Sequence, residues 1–189
     1  SFSSNASLGA TTVHTVTIED DDSPIVNFST ASQSVDEIPG LSGTAWTSGY
    51  SAWTKRLRMT IDNTGSAEAF TDFTVRVSLQ GLVDNADVQS AGQDLRFLTP
   101  NGTLLNHEIE TWNTTTKEVW VKLPSIAASD YTHFYVYYGN SGASDGQNIT
   151  ASWNSNYLAV WHLDESATTS LDSTSNSINI TKTSVSQVS

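Results

Sequence analysis

Residues 56–62 read RLRMTID and residues 73–79 read FTVRVSL. In the first stretch Leu57, Met59 and Ile61 alternate with Arg56, Arg58 and Thr60. In the second, Phe73, Val75, Val77 and Leu79 alternate with Thr74, Arg76 and Ser78. An extended chain turns successive side chains to opposite faces, so this period of two means strands with one dry face and one wet face. A slip of one residue would turn every apolar side chain to water, which pins the register.

The pattern continues outward from these two stretches. DLRFL (94–98) places Leu95 and Phe97 together. EVWVKL (118–123) sets Val119, Val121 and Leu123 against Trp120 and Lys122. HFYVYY (133–138) is apolar on both faces and reads as a central strand, and YLAVWHL (157–163) has the same two-sided character. The connectors DNTGS (62–66), TPNGT (99–103), YGNSGASDGQN (138–148) and SGTAWTSGYS (42–51) concentrate turn formers. No apolar stripe at helical spacing runs for ten residues; GLVDNADVQSAG (81–92) has room for one helical turn. These features predict an all-β chain, an antiparallel β-sandwich of jelly-roll or immunoglobulin-like type, with strand-like N- and C-terminal flanks. Its expected core is Leu57, Met59, Ile61, Phe73, Val75, Val77, Leu79, Phe97, Val119 and Val121.

Three zones divide the 189 residues. Residues 1–37 hold two short strand patterns, HTVTI (14–18) and PIVNFS (24–29). Residues 38–150 carry seven of the eight Lys and Arg residues and form a self-consistent body. Residues 151–189 begin with YLAVWHL and decay into a Ser/Thr/Asn-rich stretch. Cysteine is absent, which excludes disulfides and thiolate metal sites. No apolar run approaches the roughly 20 residues of a membrane helix, so no membrane insertion is expected. The net charge is −12, with no Lys or Arg before Lys55. Phosphate neutralisation needs clustered cations, so nucleic acid is not an expected partner. A polyanion that attracts divalent cations fits an extracellular or cell-surface location. Asn-x-Ser/Thr sequons at Asn5, Asn27, Asn101, Asn113, Asn148 and Asn179 mark candidate glycosylation positions there.

Three groups of side chains suggest chemistry. VTIEDDDSP (16–24) ends a strand pattern in Glu19, Asp20, Asp21 and Asp22. Calcium takes six to eight oxygens at about 2.3–2.6 Å, which clustered carboxylates supply; a solvated junction is the other reading. In HEIETW (107–112), Glu108 and Glu110 share one face while His107 and Ile109 share the other. This is strand spacing rather than the helical spacing of a zincin, so the carboxylates are expected in a structural or polar network rather than in catalysis, with Arg58, Arg76 and Arg96 as available partners for Glu108 or Glu110. Of the aromatic residues, Trp46 and Trp53 lie in a Gly/Ser context and are the expected exposed pair for stacking a sugar. The YVYYGN tyrosines are expected in the core, where a ring buries about 150–250 Å². Cysteine nucleophiles, a G-x-S-x-G elbow and nucleotide-binding glycine patterns are all missing.

GQDLRFL (92–98), HEIETW (107–112), VWVKLP (119–124) and YVYYGN (135–140) together resemble a bacterial domain family of unknown function found in large multidomain surface proteins. SLGATTVHTVTIEDDD (7–22) is similar to the final strands of a Calx-beta repeat, and VNFSTASQSVDE (26–37) to the start of the next. That resemblance implies calcium ligands at Glu37 and within residues 20–22. YLAVWHLDES with LDSTSN (157–166, 171–176) resembles the first strands of a laminin-G or concanavalin-like lectin domain.

The resulting expectation is a non-enzymatic extracellular structural or adhesive module of a bacterial surface or matrix protein. Calcium is its expected ion; other copies, neighbouring domains or glycans are its expected partners. Because neither flank holds enough strands for a sandwich of its own, at least one is expected to complete a sheet of an adjacent copy, head to tail. The alternatives are a glycan-binding module and an ancillary domain of a carbohydrate-active enzyme. An exposed coplanar Trp/Tyr pair would favour the first, and two carboxylates across a cleft the second.

Overall fold

The computed structural model describes residues 49–163 and 168–181. The acidic run at 19–22, Glu37, Trp46, Asn5, Asn27 and the strand patterns at 14–18 and 24–29 lie outside the described residues.

Seven strands form two antiparallel sheets. The first sheet has the order β1 (Lys55–Asp62), β7 (Tyr131–Tyr138), β3 (Arg96–Leu98), β4 (Leu104–Leu105). The second has the order β2 (Phe70–Ser78), β6 (Lys117–Ile126), β5 (His107–Trp112). Successive stretches of chain alternate between sheets, so strands distant in sequence become neighbours. β1 pairs with β7 from Lys55↔Tyr138 to Asp62↔Tyr131, and β2 pairs with β6 from Phe70↔Ile126 to Ser78↔Glu118. Two short strands, β8 (Thr169–Ser170) and β9 (Ile180–Thr181), pair only with each other among the described residues.

The two inner faces meet as the alternation requires. Met59, Ile61, Val75, Val77, Leu79, Phe97, Val119 and Val121 are buried in one core cluster with Leu95, Leu123, Phe134 and Val136, and Leu57 and Phe73 pack against it. Arg56, Arg58 and Arg76 are exposed. Each fully buried Val, Leu, Ile or Phe contributes roughly 1.5–3 kcal/mol of transfer free energy, so the set dominates the folding free energy. HFYVYY is indeed central, as β7 between β1 and β3, with Tyr137 and Tyr138 buried. The single turn expected in 81–92 begins just before it, where the Val83 N–H donates to the Leu79 carbonyl at 3.1 Å.

Two local features depart from simple alternation. β5 carries a bulge between Ile109 and Thr111, so Glu110 is the extra residue. Parity changes there: His107, Ile109 and then Trp112 face the core, whereas unbroken alternation would have turned Trp112 outward. The second departure corrects an expectation. YLAVWHL is not a strand, because its backbone groups are taken by side chains and a loop instead of a ladder. The Val160 N–H donates to Asp172 Oδ1 at 2.9 Å, the Val160 carbonyl accepts from the Ser173 N–H, and the Asn176 amide reaches the carbonyls of Tyr157 and Leu158.

Candidate functional site: a carboxylate–histidine network on the second sheet

On the outer face of the second sheet, Glu108 and Trp120 stand opposite one another in the β5–β6 pairing. Strand alternation turns Glu108 outward, and the bulge aims Glu110 at the same region. A single 3-10 turn at Thr150–Ser152 starts the segment that crosses this face. Thr74, buried on β2, donates its hydroxyl to the Ser152 carbonyl at 2.6 Å, and Asn154 donates to the Asp72 carbonyl at 2.7 Å.

Those anchors lay Trp153 over the carboxylates. Its indole N–H donates to Glu108 Oε2 at 2.6 Å, and the Ser173 hydroxyl donates to Glu108 Oε1 at 2.6 Å. The Trp120 indole N–H donates to Glu110 Oε2. His162 sits between the two acids, with Nδ1 2.5 Å from Glu110 Oε2 and Nε2 3.2 Å from Glu108 Oε1. The rings of Trp120 and Trp153 lie 5.4 Å apart at 54°, and Tyr157 meets Trp153 edge-on at 5.0 Å. Glu108 is 5 % exposed and Trp153 7 %. Carboxylates so enclosed need donors, and here indole, hydroxyl and imidazole groups provide them.

The network also corrects the expected ion pairs. Neither glutamate pairs with Arg58, Arg76 or Arg96. Arg76 lies 3.3 Å from Glu118, its diagonal neighbour on β6. Arg96 donates to three carbonyls, those of Gln93, Leu95 and Ser144, and lies 5.3 Å over the Trp53 ring. A half-buried Trp53 is thereby covered on that side. Its indole donates to the Asp94 carbonyl at 2.6 Å, and Tyr50 tilts against it at 56°.

Asp94 is fully buried and ties two of the quoted motifs together. Its Oδ1 accepts from the Gln89 N–H, and its Oδ2 from the N–H groups of Gly139 and Asn140 at 2.7 and 3.0 Å. Gly139 has a φ of +86°, and a Cβ there would collide with the Thr54 hydroxyl, so only glycine fits. Asp172 performs a similar task in the C-terminal segment. Partial burial opposes its charge, but the N–H groups of Val160, Thr174 and Ile178 and the Thr174 hydroxyl bring its carboxyl down to about 2.

His107 stands apart from this chemistry. It faces the core 5.0 Å from the Phe97 ring, with both ring nitrogens buried and without hydrogen-bond partners. Burial, aided by the nearby Arg96 charge, lowers its pKa to about 4. Among the described residues no group of three or more His, Cys, Asp or Glu is arranged to hold a metal ion. The sequon residues Asn101, Asn113, Asn148 and Asn179 are exposed. No helix among the described residues is long and apolar enough to cross a membrane.

His162, Ser173 and Asp172 were not singled out by sequence reasoning. His162 lies in a stretch that reads as a strand, and nothing in the residue order announces its partners 52 and 54 positions away. No curated protein and no solved structure matches the chain. Residues 91–179, just under half of the chain, match a protein-family model described as Domain of unknown function (DUF2341); that span runs from before β3 to the end of the Asp172 turn and includes Glu108, Glu110, His162 and Ser173, so it is a domain of this kind that the chain resembles.

Proposed function

We propose that the chain is a non-enzymatic, extracellular structural or adhesive module of a bacterial surface or matrix protein. One observation carries the reading. The carboxylates, indole N–H groups and imidazole that could have served a catalytic cleft are joined to one another, and they fasten residues 150–163 and the stretch around Ser173 to the sandwich. A general acid or base must reach a substrate proton, and groups committed to internal partners are poorly placed for that. The covered faces of Trp53 likewise weigh against a free stacking platform of Trp46 and Trp53.

The acidic run at 19–22, together with Glu37, supplies the oxygen-rich chemistry of a calcium site of the Calx-beta kind, and the exposed sequons suit a glycan-coated surface. Strand-like flanks that complete a sheet of an adjacent copy would give a head-to-tail filament, because a heterologous contact that does not close propagates.

Size-exclusion chromatography with light scattering tests the assembly. Species larger than the 20.4 kDa chain are expected. A clean monomer at high concentration, with both flanks cut by protease, excludes strand exchange. Hydrolysis of any polysaccharide in a panel overturns the non-enzymatic reading. For the ion, EDTA is expected to lower the melting temperature and calcium to restore it by binding the folded state. Superimposable melts with and without EDTA leave the run as a solvated junction.

A further inference from the structure

Lys117 is the first residue of β6 and continues inward the row made by Val119, Val121 and Leu123. It is 2 % exposed, which is unusual for a lysine. Its ammonium makes no hydrogen bond and no ion pair among the described residues; its one ring contact there is with Trp112, 5.8 Å to the centroid. A buried cation without an anion is costly, and proteins ordinarily provide a partner. Lys117 lines a groove of about 290 Å³ whose other polar walls come from Gln80, Gly81, Asp84, Asn85 and Thr114. The buried lysine is thus one wall of an open, polar groove.

We infer that this groove is a binding site for a small hydroxylated carboxylate, of the chemical class of a sugar acid. The carboxylate would pair with Lys117. The side-chain amides of Gln80 and Asn85 and the hydroxyl of Thr114 both donate and accept, as ligand hydroxyls do. Asp84 sharpens the choice. Its Oδ1 accepts the Ala86 N–H at 3.0 Å, and a ligand hydroxyl can replace water as donor to its remaining lone pairs. A bare carboxylate offers no donor and would be repelled there, whereas a hydroxyl satisfies it. The volume of about 290 Å³ lies just below the about 300–1,000 Å³ typical of small-ligand sites, which limits the occupant to one monosaccharide unit. The site lies away from the Glu108–His162 network, and the inference does not depend on the structural role proposed above.

The test is an amide NMR titration of the full chain with glucuronate. Saturable shifts centred on Gly81, Asn85 and Thr114 are expected. Glucose, acetate and the neutral methyl ester of glucuronate should each bind at least about tenfold more weakly, the first and last lacking the charge and acetate the hydroxyls. Lys117→Met, whose thioether fills the space of the lysine stem, should lose about tenfold or more in affinity for glucuronate. The methyl ester probes the same charge on the unaltered protein, should that variant fold poorly. Absence of saturable shifts with glucuronate overturns the site. So does equal binding of glucose, acetate or the methyl ester, or an unchanged affinity in a folded Lys117→Met variant.

Discussion

The indole of Trp153 donates to the carboxylate of Glu108 at 2.6 Å, linking residues 45 positions apart across the outer face of the second sheet. Glu108 is the acceptor on which the covering segment converges, since Ser173 donates to its other oxygen. Glu108→Ala leaves a buried indole N–H and a buried hydroxyl without their acceptor. A loss of about 2–4 kcal/mol is expected by urea denaturation, from two hydrogen bonds to a charged group. New proteolytic cuts should appear within 150–181, because the segment loses its fastener. Unchanged protease resistance there would show that apolar contacts of Trp153 and Tyr157 hold the segment instead.

The core histidine gives the fold an acid limb. Unfolded, His107 titrates near 6.5; folded, near 4. The folded pKa is the depressed one, so the stabilisation is complete above pH 6.5 and is lost as the pH falls toward 4. Between those values the unfolded chain takes up a proton that the native core refuses. The depression corresponds to about 3 kcal/mol across the window. His107→Phe keeps an aromatic partner for Phe97 and removes two buried nitrogens that have no partners. It is expected to flatten stability between pH 6.5 and 4, measured as the denaturation midpoint at a series of pH values. A wild-type profile with no slope in that interval refutes the assignment.

Asp94 shows how far residue order alone leads. The quoted stretches 92–98 and 135–140 both read correctly as strand and turn, since alternation reports which face is dry. That Asp94 of one stretch accepts the N–H groups of Gly139 and Asn140 of the other is a long-range fact with no local signature. The same holds at the network. Period two correctly put Glu108 and Glu110 together and His107 with Ile109 on the core side. The bulge at Glu110, the turning of Trp112 to the core and the meeting with His162 depend on packing between segments, which periodicity does not encode. The reading of 157–163 as a strand failed because apolar composition reports burial, not ladder formation; the backbone partners there are side chains of Asp172 and Asn176. Asp94→Asn replaces one carboxylate oxygen by an NH₂ that cannot accept. Whichever oxygen is lost, at least one backbone N–H faces a donor, and about 2–3 kcal/mol of stability should go with it. Hydrogen exchange should quicken first at Gly139 and Asn140 if Oδ2 is the position replaced, and at Gln89 otherwise; uniform destabilisation without either local change counts against the clamp.

Asp172 provides the last test, because it organises the covering segment without touching the sandwich carboxylates. Its two oxygens accept the N–H groups of Val160, Thr174 and Ile178 and the Thr174 hydroxyl, at 2.8 to 2.9 Å. These bonds hold residue 160 beside 172–178, and that fold-back in turn carries His162 and Ser173 to Glu108. Asp172→Asn preserves size and one acceptor oxygen but sets an amide donor against backbone donors. Its expected effect is local: faster exchange of the Val160 and Ile178 amides and a loosened His162, read as a change in the imidazole resonances, while β1, β2, β6 and β7 stay protected. The pH response follows from the depressed carboxyl, which is charged in the folded chain down to about 2 and in the unfolded chain only above its ordinary range near 3.8. Its stabilisation is present above that range and disappears as the pH falls toward 2. The wild-type segment should therefore open at low pH. In the Asp172→Asn variant, which has no carboxyl to titrate at this position, the opening should not follow pH in that interval. Loss of protection throughout both sheets in Asp172→Asn would instead mean that residues 157–181 and the sandwich unfold as one cooperative unit.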